Sequence, residues 1–210
     1  MKKMLKLESK AGLIICCSGP SGVGKDTLIT GLRERLPHLK HSISLTTREP
    51  RHGEVPGVDY HFCEKSEFEE MIAAGEIIEY DIFCDHYYGT RASVIRESVA
   101  NGQDLILDIT VAGSLRLKEL IPEAILIFIL PPSEEALIER LNSRRTESAE
   151  VIKKRVAKAR SEVAEARNFD YLLINDRLKD AVSALEAIFI AERLRSKHYN
   201  ISQIDEDLEV

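Results

Sequence analysis

The chain of 210 residues lacks several features that would place it in a class at once. It has no apolar stretch of signal length, and none approaches the roughly 20 residues of a membrane span. Its net charge of −6 argues against a general binder of nucleic acid or membrane. It also contains no repeat and no low-complexity linker. We therefore expect a cytoplasmic, globular protein, most simply one domain with inserted lobes.

Cysteine is scarce, and its four copies show neither metal-ligand spacing nor a CxxC pair. Cys16 and Cys17 fall within an apolar run, where thiols behave as small apolar groups. Cys63 and Cys84 stand apart from each other and from that pair. This usage fits a reducing cytosol.

A glycine-rich loop, GPSGVGKDT, occupies residues 19–27. The spacing of Gly19, Gly24 and Lys25 is that of a loop that cradles phosphates. LIICCS before it predicts a buried strand, and DTLITGLRERL after it predicts an amphipathic helix. Such a context aims backbone N–H groups and the positive end of a helix dipole at one point. We expect the loop, Gly19, Pro20, Ser21, Gly22, Val23, Gly24, Lys25, Asp26 and Thr27, to bind a nucleotide triphosphate, which the resemblance described below implies to be ATP.

Asp26 departs from the usual pattern of such loops, which place Ser or Thr after the lysine to ligate Mg²⁺. A carboxylate is also a hard oxygen ligand, and it suits the first turn of a helix. Thr27 is the substitute hydroxyl if the metal is held mostly through water. The alternative is that Asp26 simply caps the helix.

Apolar runs and helical patterns alternate along much of the chain. DLILDI, AILIFIL and YLLIN predict strands buried on both faces, as in a parallel sheet. Helices are predicted at about 91–101, 112–120, 133–144, 149–168 and 178–195, with Ser133 and Ser148 as N-caps. This alternation predicts an α/β layered fold with right-handed crossovers.

Residues 41–90 break this rhythm with short β-like pieces around one helix, which SEFE at 66–69 opens in capping-box form. We expect this mixed insertion to hold a second substrate. Arg48 and Arg51 could form a fork for a phosphate monoester. Tyr60 and Tyr88 could donate hydrogen bonds to that phosphate or stack on a base. The ionised carboxylate of Glu79 only accepts hydrogen bonds, so it would favour guanine, which offers adjacent N–H donors, over adenine.

Positive charge is concentrated in residues 140–167, which hold six Arg and three Lys against four Glu. The excess suggests a small anionic substrate, although a solvated helix with i,i+4 ion pairs accounts for part of it. Asn142 and Ser143 weaken the helical pattern, so we expect a mobile lid here.

Together, several segments resemble the guanylate kinase family in order and spacing over about residues 11–195: SGPSGVGK, SISLTTREPRHGEVPGVDYHF, GEIIEY, YYGT, LDI followed by a Gly, IFILPPS and INDRL. The resemblance implies a three-layer P-loop NTPase fold with a parallel core sheet formed by 11–40, 91–135 and 168–195. It also implies an inserted α+β GMP-binding lobe at 41–90 and a helical lid at about 136–167. We expect residues 196–210 to form a flexible tail.

Carried over to matching positions, the resemblance implies roles for individual side chains. Ser44, Glu79 and Thr90 would contact guanine. The GMP phosphate would be held by Arg48, Arg51, Tyr60 and Tyr88. Asp108, at the end of a core strand, would lie near GMP and Mg²⁺. Asn175 would lie near adenine, or would only form a strand-end turn. The catalytic set would be Lys25, Arg48 and three lid-side arginines: Arg140, Arg144 and Arg155.

The implied reaction is ATP + GMP → ADP + GDP, with Mg²⁺ as cofactor and GMP or dGMP as acceptor. It requires no general base, because a phosphate monoester (second pKa about 6) is already largely ionised at pH 7. Catalysis would consist of alignment and charge neutralisation under a closing lid that excludes water. The sequence does not decide between a monomer and a homo-oligomer.

Three positions depart from the family pattern: Asp26, Thr110 in DIT where DID is usual, and VAG at 111–113 without the usual Gln. Two alternatives therefore stay open. One is ribose 1,5-bisphosphate phosphokinase, a relative on the same fold, and the other is a non-catalytic guanylate-kinase-like binding module. Glu79 and the intact TTR…DY block favour GMP, and Lys25 with its loop glycines favours an enzyme.

Overall fold

The computed structural model describes residues 12–83, 85–143 and 149–199. Its strands are β1 (Ile14–Ser18), β2 (Lys40–Ser42), β3 (Leu45–Thr46), β4 (His61–Phe62), β5 (Ile77–Phe83), β6 (His86–Arg91), β7 (Leu105–Asp108), β8 (Ile125–Leu130) and β9 (Tyr171–Ile174). Its helices are α1 (Lys25–Arg35), α2 (Lys65–Ala73), α3 (Ala92–Ala100), α4 (Val111–Leu120), α5 (Glu134–Ser143), α6 (Ala149–Ala164) and α7 (Leu178–Arg193). The helices and core strands predicted from the sequence agree with these bounds to within a few residues.

Five parallel strands form the core sheet in the order β2-β7-β1-β8-β9, which confirms the predicted parallel α/β core. Alternate residues of β1 face opposite apolar layers. Ile15 and Cys17 pack toward α1 and α7, whereas Ile14 and Cys16 pack toward α3 and α4. Burial raises the pKa of both thiols, so they remain protonated and behave as apolar groups. These layers hold the end of β1, and the loop after it, in a fixed position.

Strand β2 was not predicted as part of the core. Lys40, His41 and Ser42 pair in parallel with β7, so the core sheet continues past the expected start of the insertion at residue 41. The sequence KHS has no apolar run, because β2 lies at the sheet edge and is fixed mainly by its pairing with β7.

The inserted lobe contains a four-stranded mixed sheet in the order β4-β3-β6-β5, as the β-like pieces predicted. Strands β3 and β4 are parallel, and β6 is antiparallel to both β3 and β5. The predicted capping box at SEFE is wrong: α2 begins at Lys65 after Glu64, and no side chain caps it. The helix starts earlier than Ser66, and it places Phe68 and Met71 in the lobe core.

Helices α5 and α6 occupy most of the segment predicted to form a lid, and they pack through Leu137, Leu141, Val156 and Ala159. Ser133 caps α5 as predicted, because its hydroxyl accepts a hydrogen bond from the Ala136 N–H at 3.2 Å. The predictions for Arg144 and Ser148 fall outside the described residues. Across the ranges given above, no helix has both the length and the apolar character needed to span a bilayer.

Candidate functional site

The glycine-rich loop follows β1 at the carboxyl edge of the core sheet and leads into α1. Gly24 precedes the helix with φ 94°, a left-handed conformation that favours glycine. A Cβ on Gly24 would also lie 2.7 Å from Asn175 Nδ2, so a side chain there would displace Asn175. Lys25 Nζ lies 3.2 Å from the Gly19 carbonyl oxygen and 3.8 Å from Asp108 Oδ1. The lysine thus folds back over the loop, at the positive end of α1.

Two predicted site residues brace the back of this loop. Asn175 Nδ2 donates to the Val23 carbonyl at 2.8 Å, and Arg140 Nη1 donates to the same carbonyl at 3.2 Å. Arg140 Nη2 also donates to the Asn175 carbonyl at 2.9 Å. In this structure neither side chain is among the cleft walls, so their visible role is to fix the loop.

Asp26 does not cap α1, so that alternative is wrong. The N-cap is Gly24, no side chain bonds to the helix end, and Asp26 lies within the first turn. Its carboxylate approaches that of Asp108. Burial raises the pKa of Asp108 to about 8; Lys25 opposes this rise, and Asp26 adds to it. Thr27 is exposed and does not line the cleft, because each helical residue turns about 100° from the last.

A cleft of about 430 Å³ runs from the glycine-rich loop to the inserted lobe. It brings together most of the predicted site: Gly19, Ser21, Gly22, Gly24, Lys25, Asp26, Ser44, Arg48, Arg51, Tyr60, Glu79, Tyr88, Asp108 and Arg155. Of the other predicted residues, Pro20 and Val23 are buried within the loop itself. Thr90 lies behind the wall, where it contacts Glu79.

On the lobe side, Arg48 is held in a defined orientation. Its guanidinium forms two hydrogen bonds to the Glu54 carboxylate, at 2.8 and 2.9 Å, and lies 5.1 Å from the centre of the Tyr60 ring. The ring of Tyr88 packs edge-on against Tyr60 at 6.0 Å. Glu54 also accepts the Arg51 N–H at 2.8 Å. Sequence reasoning missed Glu54, although it lies in the same conspicuous loop, six residues after Arg48.

Glu79 on β5 is the buried carboxylate of the lobe, with 3% of its surface exposed. Thr90 Oγ1 donates to Glu79 Oε1 at 2.6 Å. Burial raises the pKa of Glu79 to about 7; the Thr90 hydrogen bond lowers it, and nearby Asp81 raises it. A buried acceptor that lines the cleft is suited to read hydrogen-bond donors on a base.

Helix α6 contacts both sides of the cleft. Arg155 is buried, and its guanidinium donates to the Ser21 hydroxyl in the glycine-rich loop. One turn later, Lys158 Nζ lies 4.0 Å from Asp81 Oδ2 on the lobe and 3.9 Å from Glu162 Oε1. Lys158 and Glu162 line the cleft and were not predicted as site residues. They lie in the run of charge at residues 140–167, which was the available signal.

Thr110, where the family usually has Asp, serves as the N-cap of α4. Its hydroxyl accepts the Gly113 N–H at 3.1 Å. Among the described residues, no cluster of three or more His, Cys, Asp or Glu is arranged to hold a metal. Asp26 and Asp108 are therefore the acidic pair to test for a cation beside the phosphate loop.

A family model, curated relatives and a solved structure that match this chain are all guanylate kinases. A family model described as guanylate kinase matches residues 11–192. The guanylate kinase of Carboxydothermus hydrogenoformans is 45% identical and covers 90% of this chain and 93% of its own length. That of Gloeobacter violaceus is 47% identical, with coverage of 85% and 87%. A crystal structure of guanylate kinase from Anaplasma phagocytophilum matches with a TM-score of 0.78, at 29% identity and 92% coverage of each chain.

Proposed function

The chain belongs to the guanylate kinase family, and we propose that it transfers the terminal phosphoryl group of ATP to GMP, yielding ADP and GDP. The observation that carries the proposal is one continuous cleft with two unlike walls. Lys25 and the glycine-rich loop form the wall suited to a triphosphate, whereas Arg48 and Glu79 on the other wall suit a purine monophosphate.

At the ATP wall, backbone N–H groups, the start of α1 and Lys25 together present positive potential to the phosphates. The lysine is already turned over the loop through its hydrogen bond to the Gly19 carbonyl. Asn175 and Arg140 fix the loop from behind through the Val23 carbonyl. Because the loop is braced in this way, little ordering would be needed when ATP binds.

Mg²⁺ fits the carboxylates of Asp26 and Asp108. Mg²⁺ in kinases is bound by one or two carboxylates together with substrate phosphates and water. Two approaching carboxylates, one with its pKa raised to about 8, favour either a shared proton or a cation. When bound, Mg²⁺ would neutralise charge on the phosphate oxygens. Asp26 would then take the place of the usual hydroxyl after the lysine, and Thr27 would take no part.

At the GMP wall, Arg48 offers a guanidinium that Glu54 and Tyr60 hold in place. Arg51, Tyr60 and Tyr88 line the same cleft and can supply the further donors that a phosphate site requires. Glu79 accepts the adjacent N–H donors of guanine. Adenine presents a lone pair there and would leave a buried acceptor without a donor, which is costly.

The transfer itself needs alignment and charge neutralisation more than proton abstraction, because the acceptor phosphate is already ionised near neutral pH. Arg155 on α6 brings a guanidinium to the phosphate loop beside Ser21. Since α6 also covers the cleft, the same helix would exclude water, which competes with GMP as the acceptor.

The proposal is tested by ADP release from ATP with three acceptors: GMP, AMP and ribose 1,5-bisphosphate. We expect turnover with GMP and little with the other two. Glu79→Gln should raise the KM for GMP on the order of 10- to 100-fold, because an ionised hydrogen-bond partner is lost. Glu76→Gln, an exposed change on the same segment, is the matched control and should leave KM unchanged. Equal turnover of ribose 1,5-bisphosphate, or no turnover of any acceptor, would refute the proposal.

A further inference from the structure

The first turn of α4 lies directly against the side chain of Glu79. A Cβ built on Gly113 would lie 2.2 Å from Glu79 Oε2 and 3.1 Å from its Cδ. Contacts of 2.2 Å do not occur between real atoms of this kind, so any side chain at residue 113 must displace the carboxylate. The Glu79 carboxylate therefore occupies space that only glycine leaves open.

The backbone gives no other reason for glycine at this position. Gly113 is buried within a helix and is not among the glycines with positive φ in the described part of the chain. A glycine inside a helix costs about 1 kcal/mol relative to alanine. Helix stability alone would favour alanine here, so the contact with Glu79 is the feature that alanine would disturb.

The hydrogen bonds around Gly113 leave one carboxylate oxygen available to a ligand. The Gly113 N–H is donated to Thr110 Oγ1 at 3.1 Å, and Glu79 Oε1 accepts from Thr90 at 2.6 Å. Within the residues that the structure describes, no hydrogen bond to Glu79 Oε2 is formed. Packing against Gly113 thus orients Oε2 without using its capacity to accept.

We propose that Gly113 is a positioning residue for guanine recognition: its missing side chain lets the Glu79 carboxylate lie against α4 and face the cleft. The inference rests on the proposed role of Glu79 as the acceptor for guanine. Thr110 caps α4 and accepts the Gly113 N–H, which fixes the turn that lies against Glu79. Glu79 is also tied to Thr90 on β6, so the carboxylate cannot move without weakening that bond.

Gly113→Ala should raise the KM for GMP on the order of 10- to 100-fold, since a displacement of about 1 Å has effects of that size at a tightly fitted site. The KM for ATP and kcat at saturating GMP should change little. The preference of the enzyme for GMP over IMP should fall as well. IMP lacks the 2-amino donor of guanine, so the preference for GMP over IMP depends on where the carboxylate lies.

The decisive experiment is a double-mutant cycle of Gly113→Ala and Glu79→Ala, with GMP and IMP kinetics and thermal unfolding measured for all four proteins. If Gly113 acts through Glu79, Gly113→Ala has no further effect on the GMP KM once Glu79 is alanine. Any loss of Tm in Gly113→Ala should also be recovered in the double variant, because the clash is gone. Ala112→Ser, an exposed change in the same turn, is the control and should match the wild type.

Two results would overturn the inference while leaving the proposed function intact. One is a Gly113→Ala variant with wild-type KM and selectivity. The other is the same penalty in both backgrounds, which would mean a general effect on α4. A different result would refute the guanine assignment itself: a Glu79→Ala variant whose GMP KM equals that of the wild type. The Gly113 inference would then be refuted with it.

Discussion

GMP affinity should depend on pH through Glu79. Burial raises the pKa of this carboxyl to about 7, and the ionised form accepts the N–H donors of guanine more strongly than the protonated form does. With a pKa of about 7, the ionised fraction falls from about nine-tenths at pH 8 to about one-tenth at pH 6. The Kd for GMP should therefore rise by up to about tenfold over that range.

The assay is equilibrium binding of GMP without ATP, because Asp108 also titrates in this range and acts on the ATP side. The phosphate of GMP, with a second pKa of about 6, loses about half its dianion at pH 6 and contributes about twofold. Glu79→Gln removes the larger effect and keeps the smaller one. A flat profile in the wild type, or equal slopes in the two proteins, would refute the reasoning.

The same raised pKa makes a prediction about stability. The folded state binds the Glu79 proton more tightly than the unfolded chain does, so the folded state loses stability as pH rises from about 4.5 to about 7. The cost at pH 8 is on the order of 3 kcal/mol, because each pKa unit corresponds to about 1.4 kcal/mol. Glu79→Gln should accordingly raise Tm at pH 8 and lose that advantage at pH 4.5. An equal Tm difference at both values would contradict the assignment of this pKa.

Two further predictions concern the proposed Mg²⁺ site and the contact of α6 with the inserted lobe. Asp26→Ser removes a carboxylate that raises the pKa of Asp108, so the pKa of Asp108 should fall. The Mg²⁺ concentration that gives half-maximal activity should shift as well. An unchanged Mg²⁺ titration would exclude Asp26 from the proposed metal site. Lys158→Asp should raise the GMP KM by at most about fivefold at low salt, because the Lys158–Asp81 contact joins α6 to the inserted lobe. High salt should remove the effect on KM. The double variant Lys158→Asp with Asp81→Lys, which swaps the two charges, should restore the wild-type KM. A change in KM that does not depend on salt would contradict this prediction.

The parallel core was predictable because its strands carry their own signal. IICCS, LILD and ILIFIL are buried on both faces, so each reads as an unbroken apolar run. The glycine-rich loop was equally clear, since its glycines and lysine stand in sequence order between a strand and a helix. In both cases the information is local.

What the sequence did not predict depends on contacts between distant segments. Strand β2 is polar and is fixed by pairing with β7, some 65 residues later. Asn175 and Arg140 both bind the Val23 carbonyl, although they lie 152 and 117 residues after it in the sequence. Gly113 has no distinguishing local pattern, and its significance comes from direct packing against Glu79, which lies on a different element. Tertiary packing decides these positions.

The contacts behind the phosphate loop couple nucleotide binding to the position of α5. Arg140 and Leu141 belong to α5, and both touch the loop, one at Val23 and the other closely against Gly22. Any displacement of α5 therefore alters the surface on which the triphosphate rests. Thermodynamic coupling is reciprocal. If bound nucleotide stabilises one position of α5, then holding α5 in that position must raise the affinity for nucleotide by the same free energy.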